Sequence, residues 1–466
     1  MVIKTATLEV SEEIKMRLSL VTLIAVSTLA LTPLRAVPPV VQIHPIVLEG
    51  DVVTGVGNIS SGFGASENHS VNNSGEWLVE TDTNNPNTAI DGVVLRATGF
   101  TPGALFLQQG QAMVSPIGAT LSSFDSVNIN NSGNTSYNHF LANTGGTNND
   151  SGVYYNNDLL IQESDIATAA GFGANTPYIG FFETKINNNN LVAVMASIDD
   201  PNVASTVDRA IVTVNPFSFV QTRIIGEGDM TLVAGRSIVD FATGPHDMAL
   251  NDSGHIMFVA DLDGATTDDG VTARYNGVGF DILMREGQPS PVGGRNWGSP
   301  PVSIDMNNSG AWAALADLDG STSDDTLIVR NGVDVIAREG MSLASIGGVF
   351  TFTSFGSSGS INIDDSGNVV WWGDWNDPDT TKDTGIFWND QLIVQEGVTL
   401  IDGFTLSAIS GVESNISMSD NGQWIIFEGT LSNGLDGAFM IEIPEPATAV
   451  LALLGASMLI RRRRML

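Results

Sequence analysis

Short apolar runs alternate along this chain with clusters of Asn, Asp, Ser and Gly, and the clusters share one form. Asn-(Asn/Asp)-Ser-Gly stands at Asn72 to Gly75, Asn130 to Gly133, Asn251 to Gly254 and Asn307 to Gly310. Variants stand at Asn187 to Asn190, Asp364 to Gly367 and Ser419 to Gly422. Successive copies lie about 55 to 64 residues apart, a period that signals an array or a propeller. Asn and Gly supply the left-handed backbone of a tight hairpin, and Asn190 is the residue best able to replace Gly there.

After each turn comes a β-rich run, as in Glu76 to Glu80, His255 to Ala260, Ala311 to Ala316, Asn368 to Trp372 and Gln423 to Phe427. These runs are apolar on both alternating faces, which predicts strands buried on both sides. Trp77, Trp312 and Trp424 hold the same place, two after the Gly, where a packing role outweighs ligand stacking. A third strand follows, then a fourth that ends at Glu49-Gly50, Gln109-Gly110, Glu163-Ser164, Glu227-Gly228, Glu286-Gly287, Glu339-Gly340 or Glu396-Gly397. The seven ends match the seven turns but are shifted in phase. The first, from Pro45 to Asp51, precedes any turn, and the last turn has no fourth strand after it. Ring closure resolves the mismatch if the N-terminal strand completes the last blade. The chain is thus predicted to be all-β, a seven-bladed β-propeller with four-stranded blades over residues 37–443. An open solenoid would leave an orphan strand at each end. The repeats also resemble the Asn-x-x-Gly-x-x-x-Phe tandem repeats of some sorted surface proteins.

The two ends have a different character. Lys15 and Arg17 precede an apolar run from Leu18 to Leu31, and Ala36 offers a cleavage point, so residues 1–36 read as a secretory signal peptide. Glu9, Glu12 and Glu13 suit a signal's charged region poorly, which makes Met16 an alternative start. At the other end, Pro444-Glu445-Pro446 is followed by an uncharged stretch from Ala447 to Ile460 and by Arg461, Arg462, Arg463 and Arg464. Fourteen such residues span about 21 Å as a helix, short of a bilayer's roughly 30 Å core. Flanking residues and snorkelling arginines make up the difference, and the arginines fix the end of a transmembrane helix on the cytoplasmic side. Residues 444–466 together resemble the PEP-CTERM sorting signal. That resemblance implies recognition and cleavage by an exosortase-type sorting enzyme in the inner membrane, with transient anchoring there and delivery to the cell surface or beyond.

Charge narrows the partners. The chain has 19 Lys and Arg against 52 Asp and Glu, and no Cys. Four of the basic residues precede Val37 and four close the tail, while four of the acids lie outside residues 37–443. The span between therefore holds 11 basic and 48 acidic residues, a net charge of about −37. Such a surface repels nucleic acid and anionic lipid, and it attracts cations. A hydrophobic fraction of 42% still argues for a packed core.

Strand order places the Asn-Ser-Gly turns on one face and the loops between second and third strands on the other. Those loops are acidic. Asp261, Asp263, Asp268 and Asp269 recur in register as Asp317, Asp319, Asp324 and Asp325, and Asp-x-Asp-Gly supplies hard oxygen donors suited to Ca²⁺. Neither loop completes an EF-hand pattern, and a solvated turn is the bland alternative. No nucleophile elbow, phosphate loop or zinc motif appears, and the five histidines share no repeat position. The expectation is an exported, non-enzymatic envelope or matrix protein, an interaction platform for polysaccharide or protein with Ca²⁺ as an aid. Its rivals are a secreted glycoside hydrolase or lyase on the same scaffold, and a spacer with no ligand.

Overall fold

A computed structural model describes residues 41–444 apart from 61–67, 206, 245, 357–359 and 412–415. The segments expected to be a signal peptide and, from Glu445 onward, a sorting signal lie outside the described residues. Among the described residues, seven antiparallel sheets of four or more strands follow one another along the chain, and each is a propeller blade; an eighth sheet is a two-stranded ribbon of Val52–Val53 and Gly57–Asn58. Blade 1 runs from the axis outward through His69–Val71, Glu76–Asp82, Gly92–Thr98 and Ala104–Gln108. The innermost strands of blades 2 to 6 end in Thr120–Ile129, Tyr178–Ile186, Met248–Leu250, Ser303–Met306 and Asn362–Ile363. In blade 7, Ile416–Met418, Trp424–Leu431 and Asp436–Glu442 are completed by Gln42–Leu48 from the opposite end of the chain. Gln42 pairs with Glu442 and Leu48 with Gly437. Ile416–Met418 packs against His69–Val71, so the innermost strands contact one another all the way round. The closing strand and the four-stranded blades are as the repeat phase predicts.

The doubly apolar strands have a simple cause. Each blade is sandwiched between two others, so its second and third strands bury alternate side chains against different neighbours. Trp77 and Val79 pack toward blade 7, while Leu78 packs toward blade 2. Ile256, Phe258 and Ala260 face blade 3, and Met257 and Val259 face blade 5. Full burial of one such large side chain is worth about 1.5–3 kcal/mol, and every blade interface carries a cluster of them. Trp77 and Trp312 are buried in these layers, and the half-buried Trp424 packs over Gly75 of blade 1. A Cβ on Gly75 would lie 2.7 Å from that indole.

The Asn-Ser-Gly turns do more than reverse the chain. Their fourth residue has positive φ in all seven, including Asn190 at 64°. Their first residue reaches the next blade. Asn72, Asn130, Asn187, Asn251 and Asn307 each donate Nδ2–H to the carbonyl of the equivalent residue one blade on, at 2.7 to 3.2 Å. The Oδ1 of the same side chain accepts N–H groups of its own turn, as Asn72 does from Ser74 and Glu76. One place along, the N–H of Asn73, Asn131, Asn188, Asp252 and Asn308 donates to the side-chain oxygen of its counterpart in the following blade. Blades 6 and 7 carry Asp364 and Ser419 in place of the first Asn. There the N–H of Asp365 donates to the Asp420 carbonyl, and Asn421 donates through N and Nδ2 to Asn73. A belt of hydrogen bonds thus circles one face of the ring. Arg96, Arg274 and Arg330 add outer links, each donating to the Gly carbonyl of the next turn.

The Glu-Gly ends form the matching device on the opposite face. Gly50, Gly110, Ser164, Gly228, Gly287, Gly340 and Gly397 all have positive φ, from 66° to 87°. Their N–H groups donate to the segment that begins the next blade, as Gly397 does to Leu406 at 2.7 Å. The side chain before several of them caps the start of the third strand. Glu227 accepts from Arg209 N, and Gln109 accepts from Gly92 N.

Candidate functional site: the central cavity

The axis of the ring is not filled by side chains. A cavity of about 300 Å³ opens among the innermost strands, on the side away from the Asn-Ser-Gly turns. Its polar lining follows from one repeat position, two places before each turn begins. Six of the seven residues there line the cavity, Ser70, Asn128, Lys185, Asp305, Asn362 and Ser417, and the seventh, Ala249, is buried against blade 5. The following residues Val71, Ile129, Ile186, Leu250, Met306, Ile363 and Met418 are apolar. A polar residue at this position takes on meaning only when the strands share an axis.

Charge concentrates on the arc of blades 2 to 5. Lys185 Nζ lies 2.6 Å from Glu183 Oε1, two residues apart on one strand face. Glu183 is almost fully enclosed, and burial pushes its carboxyl up to about 8 against the pull of Lys185. Burial likewise raises Asp125 to about 6, although its Oδ2 accepts a 2.5 Å hydrogen bond from Asn138 Nδ2. Asp305 is held at about 6 by the same cause while accepting the N–H groups of Met306 and Ile363, both at 2.8 Å. Ser126 and Thr184 share a hydroxyl hydrogen bond of 2.8 Å between blades 2 and 3. His246 sits 3.2 Å from Ser360 Oγ, and burial, helped by Lys185, lowers it to about 3, so its ring is neutral. Asn68 donates to Glu80 at 2.7 Å and to the Asp125 carbonyl at 3.0 Å. Burial raises Glu80 to about 7. At neutral pH the Glu183 carboxyl beside Lys185 therefore keeps its proton, while Asp125 and Asp305 are ionised among neutral amides and hydroxyls.

The acidic loops are arranged differently from the calcium expectation. Arg236 pairs with Asp268 at 2.8 Å and with Asp263 at 3.5 Å, and Arg285 reaches Asp268 at 3.2 Å. One blade on, Arg295 pairs with Asp324 at 3.0 Å and Asp319 at 3.4 Å. Asp263 also accepts from Ser237, and Asp319 from Asn296. Asp261 and Asp317 sit deeper, each raised by burial and then by Asp269 or Asp325 beside it. The eight aspartates are thus split between guanidinium pairing and half-buried carboxyl pairs. Among the described residues no group of three or more His, Cys, Asp or Glu could hold a metal ion. Arginine balances Asp263, Asp268, Asp319 and Asp324 in this arrangement. The acids do gather on one rim, as strand order predicts.

His69 lies buried 3.3 Å from Glu428, and His139 stacks on Tyr137 with centroids 4.7 Å apart.

Solved structures resemble the chain only distantly. A protein of unknown function from Dyadobacter fermentans is 8% identical, with 87% of this chain and 99% of that one covered and a TM-score of 0.32. The polysaccharide lyase Uly1 is 10% identical, covering 84% and 94%, with a TM-score of 0.38. Trypanosoma rangeli sialidase is 8% identical, covering 90% and 62%, with a TM-score of 0.33. Likenesses of this degree say nothing about what the cavity holds. No curated protein sequence is a significant match. One family does match, twice, over residues 39–229 and 218–450, each match spanning about half of the ring. The chain belongs to the family described as "Family of unknown function (DUF7453)".

Proposed function

We propose that this protein is an exported propeller that binds without transforming, and that its ligand is a saccharide unit of an extracellular polysaccharide held in the central cavity. The observation that carries this reading is the lining of that cavity. Its volume is at the lower end of small-ligand sites. Asn68, Asn128, Asn362, Ser70 and Ser417 line it with amides and hydroxyls, held in place by bonds such as Asn128 Nδ2 to the Thr184 carbonyl and Asn362 Nδ2 to the Ile416 carbonyl, a polar wall of the kind that pairs with vicinal hydroxyls. Ile304, Ile361 and Ile416 supply apolar patches for the C–H face of a ring. Export, and release by an exosortase-type enzyme, are the address that the two ends of the sequence propose for it.

Calorimetric titration of the protein with oligosaccharides cut from matrix polysaccharide tests the reading. Saturable binding that weakens at least tenfold in Asn128→Ala and Lys185→Met supports it. Absence of binding to neutral, acidic and amino-substituted oligosaccharides alike overturns it. A second reading, a carbohydrate-cleaving enzyme, draws on the split between Glu183 at about 8 and Asp125 at about 6. A protonated carboxyl beside an ionised one is the pair that glycoside cleavage uses. Release of reducing ends that is lost in Glu183→Gln would favour that reading over simple binding.

A further inference from the structure

Exposed apolar side chains stand on both faces of the ring: on the loop face they are spread over separate connections, as at Val52, Ile117, Met230, Val349 and Leu400, and on the turn face they gather in neighbouring blades. The turn face also carries the hairpins between third and fourth strands. In three consecutive blades those hairpins end in apolar tips. Blade 3 presents Phe217 and Phe219, 69% and 52% exposed, blade 4 presents Val278 at 97%, and blade 5 presents Val333 at 75%. The blade 3 hairpin is firmly built. Asn215 accepts the N–H groups of Phe217 and Ser218 through Oδ1 and that of Phe219 through its carbonyl. Phe219 is held with φ at +56°, a conformation that bulky residues rarely adopt. The carboxylates nearest the tips of blades 4 and 5, Asp281 and Asp334, are paired by Arg274 and Arg330.

The same face is where the chain leaves the fold. Glu442 pairs with Trp424, two residues beyond the last turn, and Ile443 donates to the Gln423 carbonyl. Beyond Pro444 come the uncharged residues 447–460 and the four arginines. Almost no linker separates the turn face from whatever those residues enter. In ring order, blades 3 and 4 stand three places from blade 7 in either direction. The tips therefore lie across the ring from the exit point.

We propose that the turn face rests on a lipid bilayer, attached at blade 7 by the tail and steadied across the ring by Phe217, Phe219, Val278 and Val333 entering the headgroup boundary. Apolar tips on a rigid scaffold bind an interface in proportion to the apolar area they bury. The acid-rich rim and the mouth of the cavity then point away from the membrane, toward solvent. This inference rests on the membrane reading of the tail and is independent of what the cavity binds.

The chain has no Cys, so single labelling sites are easily made. Full-length protein carrying Val278→Cys or Val333→Cys is spin-labelled and reconstituted in nanodiscs, with Ser321→Cys on the acidic face as the reference. Nitroxides at 278 and 333 are expected to lose accessibility to a water-soluble nickel chelate several-fold relative to the one at 321. Adding Phe217→Ser and Phe219→Ser restores it at 278 while thermal unfolding stays cooperative. Equal accessibility at all three sites, in protein that floats with the discs, overturns the proposal. So does equal shielding in lipid-free solution, which would assign the face to a second copy of the chain. Failure of the full chain to float overturns the tail reading and the proposal with it.

Discussion

On the turn face the connections are short and nearly identical, and on the opposite face they are long and different from blade to blade. Both faces must join antiparallel strands and both must hold neighbouring blades together. The turn face does so with neutral amides that act twice, capping their own turn through Oδ1 and gripping the next blade through Nδ2. The loop face does so with a glycine N–H at the end of each fourth strand, and leaves the intervening acids to be matched locally by arginine. Repetition is strict where each copy is at once donor and acceptor to its neighbours. It relaxes where a loop answers only to itself.

The largest expected contrast lies in the belt. Asn130→Ala removes donors to the Asn187 carbonyl and Asn190 Oδ1, and the acceptor for Ser132 and Asn134 N–H. Each buried group left without a partner costs about 1–3 kcal/mol, so a loss of roughly 3 kcal/mol is expected from urea unfolding. A loss below that of a typical surface substitution would mean the belt is ornamental.

A smaller effect is expected from the cavity wall and appears as pH dependence. Glu183 is raised from 4.5 to about 8, so the folded state holds a proton that the unfolded chain releases. Its contribution is complete below the unfolded value and is lost as pH rises through the folded one. Glu80 and Glu227, at about 7, act in the same direction. The buried His246, lowered to about 3, acts oppositely but only below its unfolded value of 6.5. Between pH 6.5 and 8.5 the carboxyls act alone, and the melting temperature should fall. Glu183→Gln should flatten that slope, and a slope unchanged in the variant would remove Glu183 from the account.

The smallest effect belongs to the loop face. Arg236→Ala and Arg295→Ala break pairs whose aspartates are 38% to 49% exposed, so each should lower the melting temperature no more than an ordinary surface substitution, and less in high salt. A rise in melting temperature of the unaltered protein with Ca²⁺, matched by none with Mg²⁺, would show that arginine does not satisfy these loops.

That order parallels what could be read from the residues. The ring was legible because its signals are local: a hairpin tetrad, a Glu-Gly stop, and a phase difference between them that only closure removes. Asn190 and Ser164 were legible as substitutes for glycine by position alone. The amide belt was not, since a turn that needs Asn for its own backbone looks the same as one that also needs it for a neighbour. Arg236 and Arg295 stand more than twenty residues before the aspartates they meet, and the acids' own spacing pointed instead to a metal. Glu183 and Lys185 looked like ordinary charges on a strand. They become a buried pair because Tyr178–Ile186 is innermost in its blade, and that depends on six other blades.

The pairing of Gln42 with Glu442 joins residues about 400 positions apart, and it sets the order of events during assembly. A chain made from its N-terminus delivers Gln42–Leu48 first and Asp436–Glu442 last. The first strand to arrive is then the last to be used, and it waits unpaired through the making of six blades and most of a seventh. Until then the growing arc has two open edges that a second chain could occupy. Completion coincides with the arrival of the segment next to Pro444. The circle can therefore shut only when nearly the whole chain has been made.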